Sequence, residues 1–204
     1  MGKIKNEINT QYQGDEAKTM FNVALLGAQK CGKTSLLDAC LKHSDPWKAW
    51  PSEYDHVAYE LLVDTSFGEI RLNIIDYNAQ PTDEQLGCLH GVLLIQDITN
   101  SDISYIQKMT KRYKQVYPQG AVFLAATKSD CYGDELFSLG QIQQLAQDMA
   151  PGAAGCVVSG REKHNIDFLL FMIADKLANP NQKYFAVENT LKQINEKKSK
   201  CTGQ

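Results

Sequence analysis

Gly27, Gly32, Lys33 and Thr34 stand in the string GAQKCGKT (27–34), which fits the spacing G-x-x-x-x-G-K-[ST]. Those residue types at that spacing bind phosphate. The glycines allow backbone angles that a Cβ forbids, so successive N–H groups can turn toward one point. Lys33 would set an ammonium between the β- and γ-phosphates, and the Thr34 hydroxyl would ligate Mg²⁺. The apolar run FNVALL (21–26) comes directly before, so a strand, a turn and a helix N-terminus converge on the anion. Nucleotide kinases, ATPases and GTPases all use phosphate chemistry of this kind, and the string does not separate them. Two of its residues, Gln29 and Lys30, are large for a loop that closes over a phosphate.

The base is read further along the chain. TKSD (127–130) follows the apolar run AVFLAA (121–126). A carboxylate at Asp130 can accept from both N1–H and N2–H₂ of guanine, a donor pair that adenine lacks. The stem of Lys128 can lie along the base face. VSGRE (158–162) offers loop N–H groups near Ser159 and Gly160 for guanine O6. Each string alone is weak. In this order, each at a strand end, they point to a guanine nucleotide.

The elements that must position these residues alternate from about Phe21 to Ala178. Strands are predicted at 21–26, 56–63, 69–75, 91–98, 121–126 and 154–158, several of them continuous apolar runs suited to burial on both faces. DTSFGE (64–69) is short enough to join two strands as an antiparallel hairpin. Ile103, Ile106, Met109, Tyr113 and Val116 share one helical face, as do Ile142, Leu145, Ala146 and Met149. Asn165 is expected to cap a last, nearly all-apolar helix through Leu177. Such alternation predicts a doubly wound α/β domain over 20–178.

Over that span the chain resembles the Ras-superfamily small GTPases. GAQKCGKT is similar to the family's phosphate loop, TKSD to its N/T-K-x-D motif, and SGR (159–161) to its S-A-K motif. The resemblance implies the P-loop NTPase fold, with a six-stranded, mostly parallel mixed sheet flanked by helices. It also implies GTP/GDP and Mg²⁺ as ligands and a switch driven by the γ-phosphate. The nucleotide-binding set would then be Gly27, Gln29, Lys30, Cys31, Gly32, Lys33, Thr34 and Ser35, together with Thr127, Lys128, Asp130, Ser159, Gly160 and Arg161.

NIIDYNAQP (73–81) is similar to the family's D-T-A-G-Q, with departures. Asp76 would hold Mg²⁺ through a water, and Gln80 would orient the attacking water, with Lys33 stabilising the reacting phosphate. Ala79 replaces the usual glycine, though its N–H can still face the γ-phosphate. Pro81 restricts Gln80 to extended conformations, and the ten residues 81–90 leave little room for a full second switch helix. In the first switch there is no Thr between Thr34 and Thr65, so Ser52 of PSEYD (51–55) is the substitute metal and phosphate ligand. Trp47, just upstream, is placed to pack edge-on against the guanine.

Composition sets the remaining bounds. A net charge of -3 over 204 residues argues against nucleic acid as a partner. The longest apolar run, FLLFMIA (168–174), falls far short of the ~20 residues a membrane span needs, and no signal-like segment follows Met1, so a cytoplasmic location is expected. The six cysteines show no metal-ligand spacing. Cys31 precedes a helix N-terminus, where a thiol pKa falls, but a small buried residue under the loop also fits that position. Residues 1–19 read as a flexible extension. The tail 179–204 ends in KKSKCTGQ, similar to a farnesylation box at Cys201, with Lys197, Lys198 and Lys200 as the basic patch for an anionic membrane. Effector, exchange-factor and activating proteins would be the partners of such a switch. Two other readings stay open: a nucleotide-stabilised interaction module that does not cycle, and a nucleotide kinase. The kinase is poorly served by only three arginines, Arg71, Arg112 and Arg161.

Overall fold

The computed structural model describes residues 19–44, 48–51, 56–131 and 133–180. Twelve elements follow one another: β1 (Met20–Gly27), α1 (Lys33–His43), β2 (Lys48–Pro51), β3 (His56–Thr65), β4 (Gly68–Tyr77), α2 (Asp83–Gly87), β5 (Gly91–Asp97), α3 (Ser104–Val116), β6 (Ala121–Thr127), α4 (Leu139–Met149), β7 (Ala154–Val157) and α5 (Ile166–Ala178). Among the described residues they build one mixed sheet in the order β2-β3-β4-β1-β5-β6-β7. The pairs β4–β1–β5–β6–β7 are parallel, and β2–β3 and β3–β4 are antiparallel. The predicted hairpin is present, with Thr65 opposite Gly68.

The sheet has seven strands where six were expected. The additional one, β2, pairs Lys48–Pro51 with Val57–Glu60 on the outer edge. Four residues ending in a proline carry no period-2 signal, and proline is tolerated only at such an edge.

Apolar layers cover both faces. One lies between the sheet and α1 and α5, built on Val23, Leu25, Leu72, Ile95 and the inner side of α5. The other lies beneath α2, α3 and α4, built on Ala24, Leu26, Leu94, Ile106, Met109 and Tyr113. Strands β1, β5 and β6 are buried on both sides, which explains their unbroken apolar runs. Ile106, Met109 and Tyr113 of α3 and Ile142 and Ala146 of α4 are buried at the predicted spacing.

Asn165 occupies the N-cap of α5 but makes no side-chain capping bond. Its backbone is left-handed (φ 58°), which aims the side chain away from the helix, and Nδ2 donates to the Val157 carbonyl at 2.9 Å. It fixes β7 to α5 instead of capping the helix. α2 is short, as the spacing required. Thr82 and Gln85 close a reciprocal capping box on it, and Pro81, Leu86 and Leu89 are buried beneath it. At ~1.5–3 kcal/mol for a buried leucine, those anchors fasten the segment.

Candidate functional site

The loop 28–32 joins β1 to α1 at the C-terminal edge of the sheet. Lys30 turns the chain through a left-handed conformation (φ 64°), and Gly32 through another (φ 95°). Glycine is required at Gly27 for a different reason: a Cβ there would lie 2.5 Å from Cys31 Sγ and 3.0 Å from the Ile95 carbonyl oxygen. Cys31 fills that space. Burial pushes its thiol pKa up against the pull of the Lys33 ammonium, so it is a small buried side chain and not an activated thiol. Lys33 Nζ reaches back across the loop to the Gly27 carbonyl at 3.3 Å. Gln29, Lys30, Thr34 and Ser35 are exposed at the rim.

Two further loops, after β6 and after β7, close on this one. Thr127 Oγ1 donates to the Cys31 carbonyl at 2.5 Å, tying the end of β6 to the loop. Ser159 Oγ donates to Asp130 Oδ1 at 2.6 Å, tying the loop after β7 to TKSD. Gly160 lies against the start of α1, where a Cβ would stand 2.6 Å from the Ser35 carbonyl oxygen and 2.9 Å from the Leu36 nitrogen. Those neighbours are backbone and cannot swing aside. Gly160→Ala should therefore cost about 1–3 kcal/mol of stability by overpacking, visible as a lower thermal midpoint without any ligand.

The Ser159 N–H is already donated to His164 O at 3.2 Å. It is not available to a base oxygen as the sequence suggested, which leaves the N–H of Gly160. Arg161 is exposed beyond it.

Lys128 is also left-handed (φ 65°), and its Nζ meets Asp97 Oδ2 at 2.5 Å. Thr99 donates to Asp97 Oδ1 from its N–H at 2.9 Å and its hydroxyl at 2.8 Å. Burial alone would raise the Asp97 pKa. The Lys128 and Thr99 bonds outweigh it and hold the carboxyl below the usual range. A lowered folded pKa adds stability that is complete above the unfolded value, ~3.9, and is lost as pH falls through the folded one. Thermal melts of wild type and Asp97→Asn should thus differ at pH 6 and converge under strong acid.

Asp76 sits near the end of β4. Burial raises its pKa, and the ammonium of Lys33 pulls it back. Gln80 is exposed, and its Nε2 donates to Met109 Sδ at 3.3 Å on α3, while Arg112 of α3 pairs with Asp83 at 2.6 Å. Ala79 is exposed, with no left-handed backbone. Trp47, Ser52 and Cys201 lie outside the described residues.

Two neighbours of the site carry no sequence motif. Asp97 meets Lys128 only through the β5–β6 pairing. Tyr105, on the first turn of α3, is half-buried against the loop: burial raises its phenol pKa, and the backbone N–H of Gly27 pulls against that. Among the described residues, no helix is long and apolar enough to cross a membrane. No protein-family model matches the chain, and no curated protein matches it.

Proposed function

We propose that the chain is a guanine-nucleotide-binding protein with a P-loop NTPase fold, a small-GTPase-like switch whose own hydrolysis is slow. The observation that carries this reading is the convergence of three separate strings. Thr127 holds the phosphate loop by its Cys31 carbonyl, and Ser159 holds Asp130, the guanine acceptor. Lys33 would meet the β- and γ-phosphates. Thr34, with Asp76 acting through a water, would hold Mg²⁺, which keeps several waters and needs few protein oxygens. The burial-raised carboxyl of Asp76 suits that place, since a nearby cation favours its ionised form. The ion would supply charge stabilisation to the phosphates. Ser52, Trp47 and a lipidated Cys201 complete the proposal as the first-switch ligand, the base edge contact and the anchor to an anionic membrane.

Slow turnover follows from the surroundings of the γ-phosphate. Gln29 adds bulk where a catalytic glutamine and an incoming arginine would meet. Gln80 is engaged with Met109. Intrinsic hydrolysis should be no faster than ~10⁻³ s⁻¹, the scale of an unassisted small GTPase. Gln80→Leu should leave that rate nearly unchanged, whereas Gln29→Gly should raise the response to an activating protein. Chromatography of the nucleotide released from purified protein, followed by single-turnover hydrolysis of loaded GTP, tests the reading. Release of adenine nucleotide, or GTP cleared within seconds, overturns it. The Gln80–Met109 contact also favours a second reading, a nucleotide-stabilised interaction module, for which bound GTP would persist unhydrolysed.

A further inference from the structure

Lys128 is held more firmly than its place near the surface requires. Its backbone is left-handed (φ 65°), a conformation that persists in a residue with a Cβ only where the surroundings over-determine it. Here they do. The Cys131 N–H donates to the Lys128 carbonyl at 2.9 Å. On either side, the Thr127 carbonyl accepts from the Ile98 N–H at 3.1 Å, and the Ser129 N–H donates to the Val158 carbonyl at 3.3 Å. The side chain is tied as well, with Nζ against Asp97 Oδ2 at 2.5 Å. Asp97 is itself prepared for that bond. Thr99 fills Oδ1 from its N–H and its hydroxyl, which leaves Oδ2 for the ammonium. The buried Gln96 donates from Nε2 to the Asp97 carbonyl at 3.0 Å and to the Asn100 carbonyl at 2.7 Å, fixing the turn that carries both Asp97 and Thr99. The lysine side chain nevertheless keeps 38% of its surface in water. A pair so open contributes little to stability, less than a left-handed backbone costs. The arrangement is better explained by what it aims than by what it holds together.

We propose that Asp97 is a positioning residue of the base site: in the ligand-free protein it fixes the Lys128 stem as the platform on which the guanine plane lies. This rests on the guanine-nucleotide reading above. A lysine stem is flexible, and freezing it at the moment of binding lowers affinity. The bond to Asp97 orders the stem beforehand. In this role Asp97 touches neither base nor phosphate and acts only through Lys128. A platform under a ring is also indifferent to the groups on the ring's edge and to the length of the phosphate chain. Its contribution is therefore the same for GTP, GDP and inosine triphosphate, unlike that of Asp130, which reads the edge, or Lys33, which reads the phosphates.

Titration of the full chain with these three nucleotides, over a double-mutant cycle of Asp97→Asn and Lys128→Met, tests the proposal. Methionine keeps an apolar stem and has no ammonium to hold. Asp97→Asn should weaken all three nucleotides by one common factor, about 10-fold, and leave the preference for GTP over inosine triphosphate at its wild-type value. In the Lys128→Met background the same substitution should change affinity by less than about 2-fold. Should Asp97→Asn not fold, Thr99→Val, which removes one donor to Oδ1, is read on the same cycle with a smaller loss expected. A loss that persists undiminished in Lys128→Met, a loss confined to one nucleotide, or no loss at all overturns the proposal while the guanine-nucleotide reading stands. Wild type that binds none of the three overturns both.

Discussion

Asp130→Asn should weaken GTP binding by about 2–3 kcal/mol, roughly 30- to 150-fold, and strengthen xanthosine triphosphate binding. The geometry makes the substitution unusually clean. Ser159 Oγ donates to Asp130 Oδ1 at 2.6 Å, and an asparagine keeps that oxygen and that bond. What changes is the other position, where an NH₂ replaces an acceptor. Guanine would then present one of its two donors, N1–H or N2–H₂, to another donor, leaving both of those groups unpaired. Xanthine carries a carbonyl at C2, which accepts from the new NH₂. Competition titrations with the two triphosphates measure the exchange of preference, and an unchanged thermal midpoint without ligand shows that the loop is intact. Equal GTP affinity in variant and wild type refutes the base-site assignment.

Lys33→Ala should remove about 3–4 kcal/mol of GTP affinity, roughly 10²–10³-fold, with a smaller loss for GDP. Hydrogen bonds from an ammonium to phosphate oxygens are among the strong ones, and the γ-phosphate is present only in GTP. The same ammonium bridges the loop to the Gly27 carbonyl at 3.3 Å and lowers the Asp76 pKa. Its loss therefore also leaves the Asp76 carboxylate harder to ionise. Lys33→Arg should not restore binding, because a planar guanidinium cannot replace a compact point charge in a closed loop. Isothermal titration against both nucleotides decides the matter, and unchanged GTP affinity discards the phosphate-loop assignment.

The longer strands and the packed faces of α3 and α4 were readable from periodicity because burial on a sheet leaves a regular imprint on the chain. β2 was not, since four residues at an edge bury too little to leave one. α2 was readable in principle: Thr82 and Gln85 stand at capping-box spacing. Asn165 stands at the N-cap as expected but its side chain does not cap: local propensity names the position, whereas the bond to Val157 depends on a strand eight residues earlier. Motif spacing singled out Gly27, Lys33, Thr127, Lys128, Asp130 and Ser159, which stand on loops that the fold brings together. Asp97 and Tyr105 arrive through pairing and helix packing, which no local spacing encodes. The same holds for the donation of the Ser159 N–H to His164, a bond set by how the loop folds back on itself.

The position of β1 bears on how the protein is made. Of the described strands it is the first in the chain, yet it sits fourth in the sheet, and both neighbours, β4 and β5, come later in the chain. The loop it carries rests on Ile95 and Thr127, and the start of α1 that follows it rests on Gly160, contributed in that order by successively later segments. A nascent chain ending before β6 has the GAQKCGKT string but not the latch that fixes it. Parallel pairing of distant segments is slow to form, so most of the sheet must assemble before the loop acquires a stable shape. A ligand that binds only the finished loop stabilises the completed chain by mass action and gives nothing to a truncated one. If that ligand is the proposed nucleotide, its supply would raise the yield of completed, folded chains and leave truncated ones unaffected.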